Sequence, residues 1–172
     1  GHSGGSIGIW DLGDRRIQAI CPGGHYDVFA LAFSPDGQTL AAGGRGPVRL
    51  WDAVTGWPLL DFDGDGDGSY CDALAFSPDG FRLAASKGKN PLDRQVKVWE
   101  LQNGRGVATL GGLSSSVTKV IFSPHGDRLA AVGMGWEVGV WNRAQQRLLH
   151  VIEAPRGFTA DNCAVAFSFD GQ

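Results

Sequence analysis

The chain has 172 residues, of which 42% are hydrophobic and 19% charged, a composition typical of a folded globular protein. Its 15 Lys and Arg residues against 18 Asp and Glu residues give a net charge of -3, which argues against a nucleic-acid-binding surface. The longest apolar runs, such as residues 29–33 and 73–76, are far shorter than the roughly 18 residues of a membrane span, so the chain is predicted to be soluble.

Short β-type segments follow one another along the chain, bounded by Gly, Pro, Asp and Asn. The chain opens just before a strand that ends near Trp10. The next four strands are predicted at residues 28–33, 39–43, 48–51 and 57–62. A Ser-Pro-Asp-Gly unit at residues 34–37 is predicted to join the first two of them as a tight turn, because Pro presets φ and Gly accepts a positive φ.

Two sequence blocks repeat in the same order to the end of the chain. The first is Phe-Ser-Pro-Asp-Gly or a close variant, and it begins at Phe33, Phe76, Phe122 and Phe167, at intervals of 43, 46 and 45 residues. The second alternates apolar residues and ends in Trp followed by Asp, Glu or Asn; it occupies residues 7–11, 48–52, 96–100 and 138–142, at intervals of 41, 48 and 42 residues. A shared period in the mid-forties predicts one structural unit per repeat. The longest interval predicts a charged, solvated loop at residues 87–94.

Each predicted strand carries apolar residues on both faces, as the run Ala30, Leu31, Ala32 and Phe33 illustrates. A single sheet with one solvated face would not need this pattern. It predicts that every sheet is covered on both sides by neighbouring sheets, as in a radial stack.

These repeats resemble the WD-repeat (WD40) family of β-propellers, whose repeats end in Trp-Asp and often contain Ser-Pro-Asp-Gly turns. The resemblance implies an all-β fold of about four repeats of four-stranded antiparallel blades within a larger ring of seven or eight blades. It divides the chain into the outer half of one blade (1–22), three blades (23–64, 65–112 and 113–156) and the start of the next (157–172). The repeated sequence Phe-Ser-Pro-Asp-Gly also suggests a bacterial origin.

The chain departs from the family in the polar network expected beside the tryptophan. The family's Gly-His pair occurs once, at Gly24-His25, and Gly44 and Gly46 lie where a hydroxyl and a carboxylate are expected. These blades are therefore predicted to depend more on packing than on that network.

The three cysteines, Cys21, Cys71 and Cys163, lie far apart and form no CxxC pair, so neither a disulfide framework nor a zinc site is indicated. We interpret them as reduced thiols, mostly in the core. Such thiols suit an intracellular setting, and a cytoplasmic location is the expectation.

Residues 61–72 form the most unusual segment, because their carboxylates match the spacing of a calcium loop in part. Position 12 of that loop is Asp72 rather than Glu, and the flanking segments read as strands rather than helices. A solvated loop is the favoured interpretation, so no metal and no cofactor are predicted.

The resemblance implies a non-catalytic scaffold that binds a protein or peptide over one face. No catalytic motif is recognised, and no catalytic residue is assigned. The alternative is a propeller enzyme or a calcium-dependent ligand binder that uses loops of the same face. Aromatic and Arg side chains are enriched among binding hot spots. The candidate partner-binding residues of the predicted rim are Tyr26, Arg45, Tyr70, Arg94, Trp136 and Phe158.

The segment contains only some strands of its first and last blades, which also predicts unpaired strand edges and uncovered apolar faces. We expect these to be covered by the remaining blades of a longer chain, or by self-association of the segment. No nucleic-acid or membrane partner is expected.

Overall fold

The computed structural model describes residues 6–23, 27–62, 70–86, 95–153 and 164–171. Within these ranges the ordered elements are strands, and no helix is long and apolar enough to cross a membrane. Fourteen strands follow one another in the chain: β1 (Ile7–Asp11), β2 (Arg16–Cys21), β3 (Val28–Phe33), β4 (Thr39–Gly44), β5 (Val48–Asp52), β6 (Pro58–Phe62), β7 (Leu74–Phe76), β8 (Arg82–Ser86), β9 (Val96–Glu100), β10 (Gly106–Leu110), β11 (Val117–Phe122), β12 (Arg128–Gly133), β13 (Glu137–Asn142) and β14 (Arg147–Glu153).

The strands form one two-stranded sheet and three four-stranded sheets, and each sheet is antiparallel with neighbours in chain order. The order is β1-β2, then β3 to β6, β7 to β10 and β11 to β14. This is the meander expected of propeller blades. The predicted all-β blade architecture is confirmed, and the strand bounds of the second blade agree with the sequence prediction to within one residue.

The hairpin turn between the first two strands of each blade is held by a buried serine. In the second blade, the Ser34 hydroxyl donates to Asp36 at 2.5 Å and accepts the amide of Thr39 at 2.9 Å. Gly37 has a φ of 71°, which explains why glycine occupies this position. In the last complete blade His125 takes the aspartate position, and Ser123 instead donates to Asp127 at 2.8 Å.

Three apolar cores lie between successive sheets rather than within any one sheet. Each core is centred on the tryptophan of a third strand, namely Trp51, Trp99 or Trp141. The last residue of the preceding sheet's outer strand packs into the same core, and these residues are Cys21, Phe62 and Leu110. The rings of Phe62 and Trp99 have centroids 5.3 Å apart. Each tryptophan therefore binds its own blade to the one before it.

The thiols of Cys21 and Cys71 are fully buried, which confirms that these two cysteines are core residues. Burial raises the pKa of the Cys21 thiol. Cys163 lies outside the described residues.

Apolar residues are covered on both faces of the inner sheets, whereas the first two sheets have exposed apolar residues, in agreement with the uncovered apolar faces predicted for this segment. Trp10, the counterpart of the three buried tryptophans, is 59% exposed. Phe29, Leu31 and Phe33 of β3 are also exposed. The reason is geometric: β1 and β2 are outer strands, so their sheet covers only the outer part of the second blade.

The position of the tryptophans predicts which of them stabilises the fold. Replacing Trp141, which is 1% exposed and donates from Nε1 to Gly111 O at 3.1 Å, with Ala should lower the free energy of unfolding by about 3–5 kcal/mol. Trp57→Ala is the matched control, because Trp57 is 72% exposed, and it should cost less than about 1 kcal/mol. Urea unfolding of both variants tests this, and equal losses would contradict a core between blades.

Candidate interaction surface

One end of the strands carries the connections between blades and between second and third strands. We define the loop face as the described residues of these connections: 22–23, 27, 45–47, 70–73, 111–116 and 134–136. The turns between first and second strands and between third and fourth strands lie at the opposite end. Of the six predicted binding residues, Arg45, Tyr70 and Trp136 lie on the loop face, while Tyr26, Arg94 and Phe158 lie outside the described residues.

Arg45 and Tyr70 are brought together although they belong to different blades. Their main chains form an isolated antiparallel bridge, and the Arg45 guanidinium lies 5.5 Å from the centre of the Tyr70 ring. The amide of Cys71 reinforces the bridge by donating to Gly44 O at 2.9 Å. The arginine and the aromatic ring therefore form one preformed unit across the junction of the second and third blades.

Asp27 holds the other side of Arg45. The Arg45 amide donates to Asp27 O at 3.0 Å, and the Arg45 Nε lies 3.9 Å from Asp27 Oδ2. A side chain at Gly44 would collide with the Asp27 carbonyl, so only glycine permits this close approach.

Trp136 lies in the loop between β12 and β13 with a φ of 64°, a left-handed conformation uncommon for non-glycine residues. It is half-buried, and Met134 beside it is exposed. Gly46 has a φ of 115° in the corresponding loop of the second blade. A bulky aromatic residue thus occupies a conformation in which another blade uses glycine.

Glu137 follows Trp136 and is buried, with only 4% of its surface exposed. Its carboxylate accepts hydrogen bonds from the amides and the hydroxyls of both Ser114 and Ser115, at 2.7–3.0 Å. The Ser115 hydroxyl in turn accepts the amide of Gly135 at 2.8 Å. Burial raises the pKa of Glu137, but the hydrogen bonds from Ser115 and Ser114 outweigh it, so the pKa lies below its ordinary value.

In the third blade the linker from the preceding blade is held by a hydroxyl instead of a carboxylate. The Ser86 hydroxyl accepts the amides of Asp72 and Ala73, both at 3.0 Å, and so fixes the linker that enters this blade. Burial raises the pKa of the Asp72 carboxyl. Each linker between blades that the structure describes is therefore held by a residue in, or directly next to, the loop between the second and third strands of the blade it enters.

Sequence reasoning missed Asp27, Glu137 and the pair Ser114-Ser115. The signal for the last three was weak but present: two adjacent serines open a blade, and a glutamate immediately precedes its third strand. Of the partial calcium loop, residues 63–69 lie outside the described residues. No group of three or more His, Cys, Asp or Glu side chains that could hold a metal occurs in the part of the chain that the structure describes.

Comparison with known proteins gives one family and several eukaryotic relatives. The WD domain, G-beta repeat family matches residues 17–52, 56–100 and 104–142. A Periodic tryptophan protein 2 homolog from Dictyostelium discoideum is 24% identical over 98% of this chain and 22% of its own length. WD repeat-containing protein SL1-17 from Schistosoma mansoni is 30% identical over 82% of this chain and 45% of its own length.

Small ribosomal subunit protein RACK1y from Oryza sativa subsp. japonica is 29% identical over 57% of this chain and 27% of its own length. The chain thus spans less than half the length of each of these three relatives. Their eukaryotic sources do not support the bacterial origin suggested by the turn sequence.

The Glu137 contacts predict an acid-sensitive contribution to stability. Glu137→Gln should lower the free energy of unfolding at pH 7 by about 1.5–3 kcal/mol, because a buried charge-assisted acceptor is lost. Since the folded-state pKa is depressed, the advantage of the wild type is present in full above the ordinary glutamate pKa of 4.5 and is lost as pH falls through the lower folded value.

Denaturant unfolding between neutral pH and pH 3 measures this difference. Glu100→Gln is the control, because Glu100 is partly exposed and its ion pair with Arg82 spans 3.7 Å. A constant difference between wild type and Glu137→Gln across that range would contradict the prediction.

Proposed function

Since the chain belongs to the WD-repeat family, we propose that it is a non-catalytic interaction scaffold that binds a protein or peptide partner over its loop face. The observation that carries this proposal is the preformed unit of Arg45 and Tyr70, which presents a planar cation and an aromatic ring at a junction between blades. Both residue types are enriched among binding hot spots.

Trp136 extends this surface to the last complete blade. The Glu137 contacts fix the loop that carries it, and Met134 adds an exposed, adaptable apolar side chain. A surface fixed in advance loses little conformational entropy on binding, which favours tight recognition of a partner. Tyr26, Arg94 and Phe158 remain candidates for the same surface, and the cytoplasmic location remains a prediction.

The proposal is tested with the full-length protein. Proteins retained by the wild type are compared with those retained by Tyr70→Ala and Trp136→Ala, and the affinity of each retained partner is measured. We expect Kd to rise about tenfold or more for at least one of these variants, because truncating a central aromatic contact removes much of the binding energy.

Phe81→Ala is the matched control, since Phe81 is an exposed aromatic residue in a hairpin turn at the opposite end of the strands. Its partners should be unchanged. If Phe81→Ala reduced binding while Tyr70→Ala and Trp136→Ala did not, the loop face would not be the binding surface.

We further propose that the uncovered apolar face at the first two sheets is covered by additional blades in the whole protein. Trp10, whose counterparts in the other sheets are buried, is exposed, and Ile17 and Ile20 are exposed on the same face of the first sheet. Burial of apolar area contributes roughly 25 cal/mol per Å², so leaving this face in water is costly. In repeat proteins neighbouring units supply much of each unit's stability.

The 172-residue chain alone should therefore self-associate, while a longer chain that carries the additional repeats should be monomeric. Sedimentation velocity of both chains distinguishes these states. A monodisperse monomer of the shorter chain with one cooperative melting transition would show that it needs no further blades.

A further inference from the structure

The depression beside Arg45 suggests what kind of side chain the partner carries. Two guanidinium-bearing side chains, Arg45 and Arg49, line it together with Asp27, Pro47 and Trp51. Its cavity volume is about 30 Å³, which suits one or two water-sized groups and is far below the volume of a site for a drug-sized ligand. A single small polar head group is the occupant that fits.

The two arginines differ in how well their charges are balanced. The Arg49 Nε lies 3.3 Å from Asp61 Oδ2, and the Arg49 side chain is about half as exposed as that of Arg45, although its Nε makes no hydrogen bond. Arg45 reaches Asp27 only at 3.9 Å, and both of these side chains are more than half exposed. An ion pair this long and this exposed contributes little, so another carboxylate could replace Asp27 at small cost.

Stacking on Tyr70 orients the Arg45 guanidinium before any partner arrives. The planar fork of an arginine matches a carboxylate in a bidentate arrangement, and the Arg45 side chain is 58% exposed, so it is accessible for that contact. The net charge of -3 and the small volume of the depression do not favour a nucleic acid as the source of the anion.

We propose that Arg45 receives an Asp or Glu side chain of a protein partner, and that Asp27 occupies this position in competition with it. This inference rests on the proposed scaffold function and adds the chemistry of the partner. It assigns to Asp27 the role of a weak internal competitor, which lowers the affinity for acidic segments several-fold.

The test uses labelled full-length protein on an array of short peptides, each synthesised with Asp and Glu and again with Asn and Gln. Wild-type protein should bind the acidic version of each captured peptide about tenfold or more tightly than the amide version. Arg45→Ala should abolish this preference. Arg45→Lys should restore only part of it, because the charge returns without the planar fork.

Two further variants separate this role from a structural one. Asp27→Asn keeps the carbonyl that accepts the Arg45 amide but removes the competing charge, so it should bind acidic peptides several-fold more tightly. Arg105→Ala removes an exposed arginine from a hairpin turn at the opposite end of the strands and should leave the preference unchanged.

The inference is overturned if no acidic peptide binds, if acidic and amide versions bind equally, or if Arg45→Ala retains the preference. If these results occur while Trp136→Ala still loses protein partners, the scaffold function stands and only the acidic partner is rejected. If Tyr70→Ala and Trp136→Ala both retain every partner, the loop face is rejected as the binding surface, and if the wild type retains no protein partner, the scaffold function itself is rejected.

Discussion

The fold depends on burial of one tryptophan per blade against the preceding blade. Trp51, Trp99 and Trp141 each fill a core whose other side is supplied by the last residue of the previous outer strand. Among the described residues, each core combines side chains from two neighbouring sheets. The sheets must therefore stack in chain order to remove these side chains from water. Stacking in turn brings the connections between blades to one end, and this fixes where a partner can be bound.

The connections are held by main-chain contacts that differ from blade to blade. The indoles of Trp51 and Trp141 donate to Pro22 O and Gly111 O, at 3.2 and 3.1 Å, immediately after the preceding outer strands. Beyond this shared contact, one linker is held by the Arg45 amide, one by the Ser86 hydroxyl and one by the Glu137 carboxylate. Packing is common to all blades, whereas the polar groups that fix the linkers are interchangeable.

The strands and turns that recur in every repeat could be predicted from the sequence, whereas contacts particular to one blade could not. The hydrophobic pattern and turn chemistry determined the second blade to within one residue per strand, because both are local. The contact of Glu137 with Ser114 joins residues 23 apart in the chain, and no periodic pattern in the sequence predicts it. Uncovered apolar faces were predicted, but the exposure of Phe29, Leu31 and Phe33 in particular was not, because cover depends on which strands face them rather than on their own apolar pattern.

Strain at Trp136 links the stability of the last complete blade to its surface. A left-handed conformation of a non-glycine residue costs of order 1–3 kcal/mol and persists where surrounding contacts determine it. The hydrogen bonds of Glu137, the next residue, supply such contacts by fixing the loop to Ser114 and Ser115. Glycine at this position would avoid the cost, as Gly46 does in the second blade. Packing between blades does not require an indole in this loop, since the corresponding loop of the second blade carries none. This strained indole beside the exposed Met134 is the feature of the last complete blade that supports the proposed binding surface.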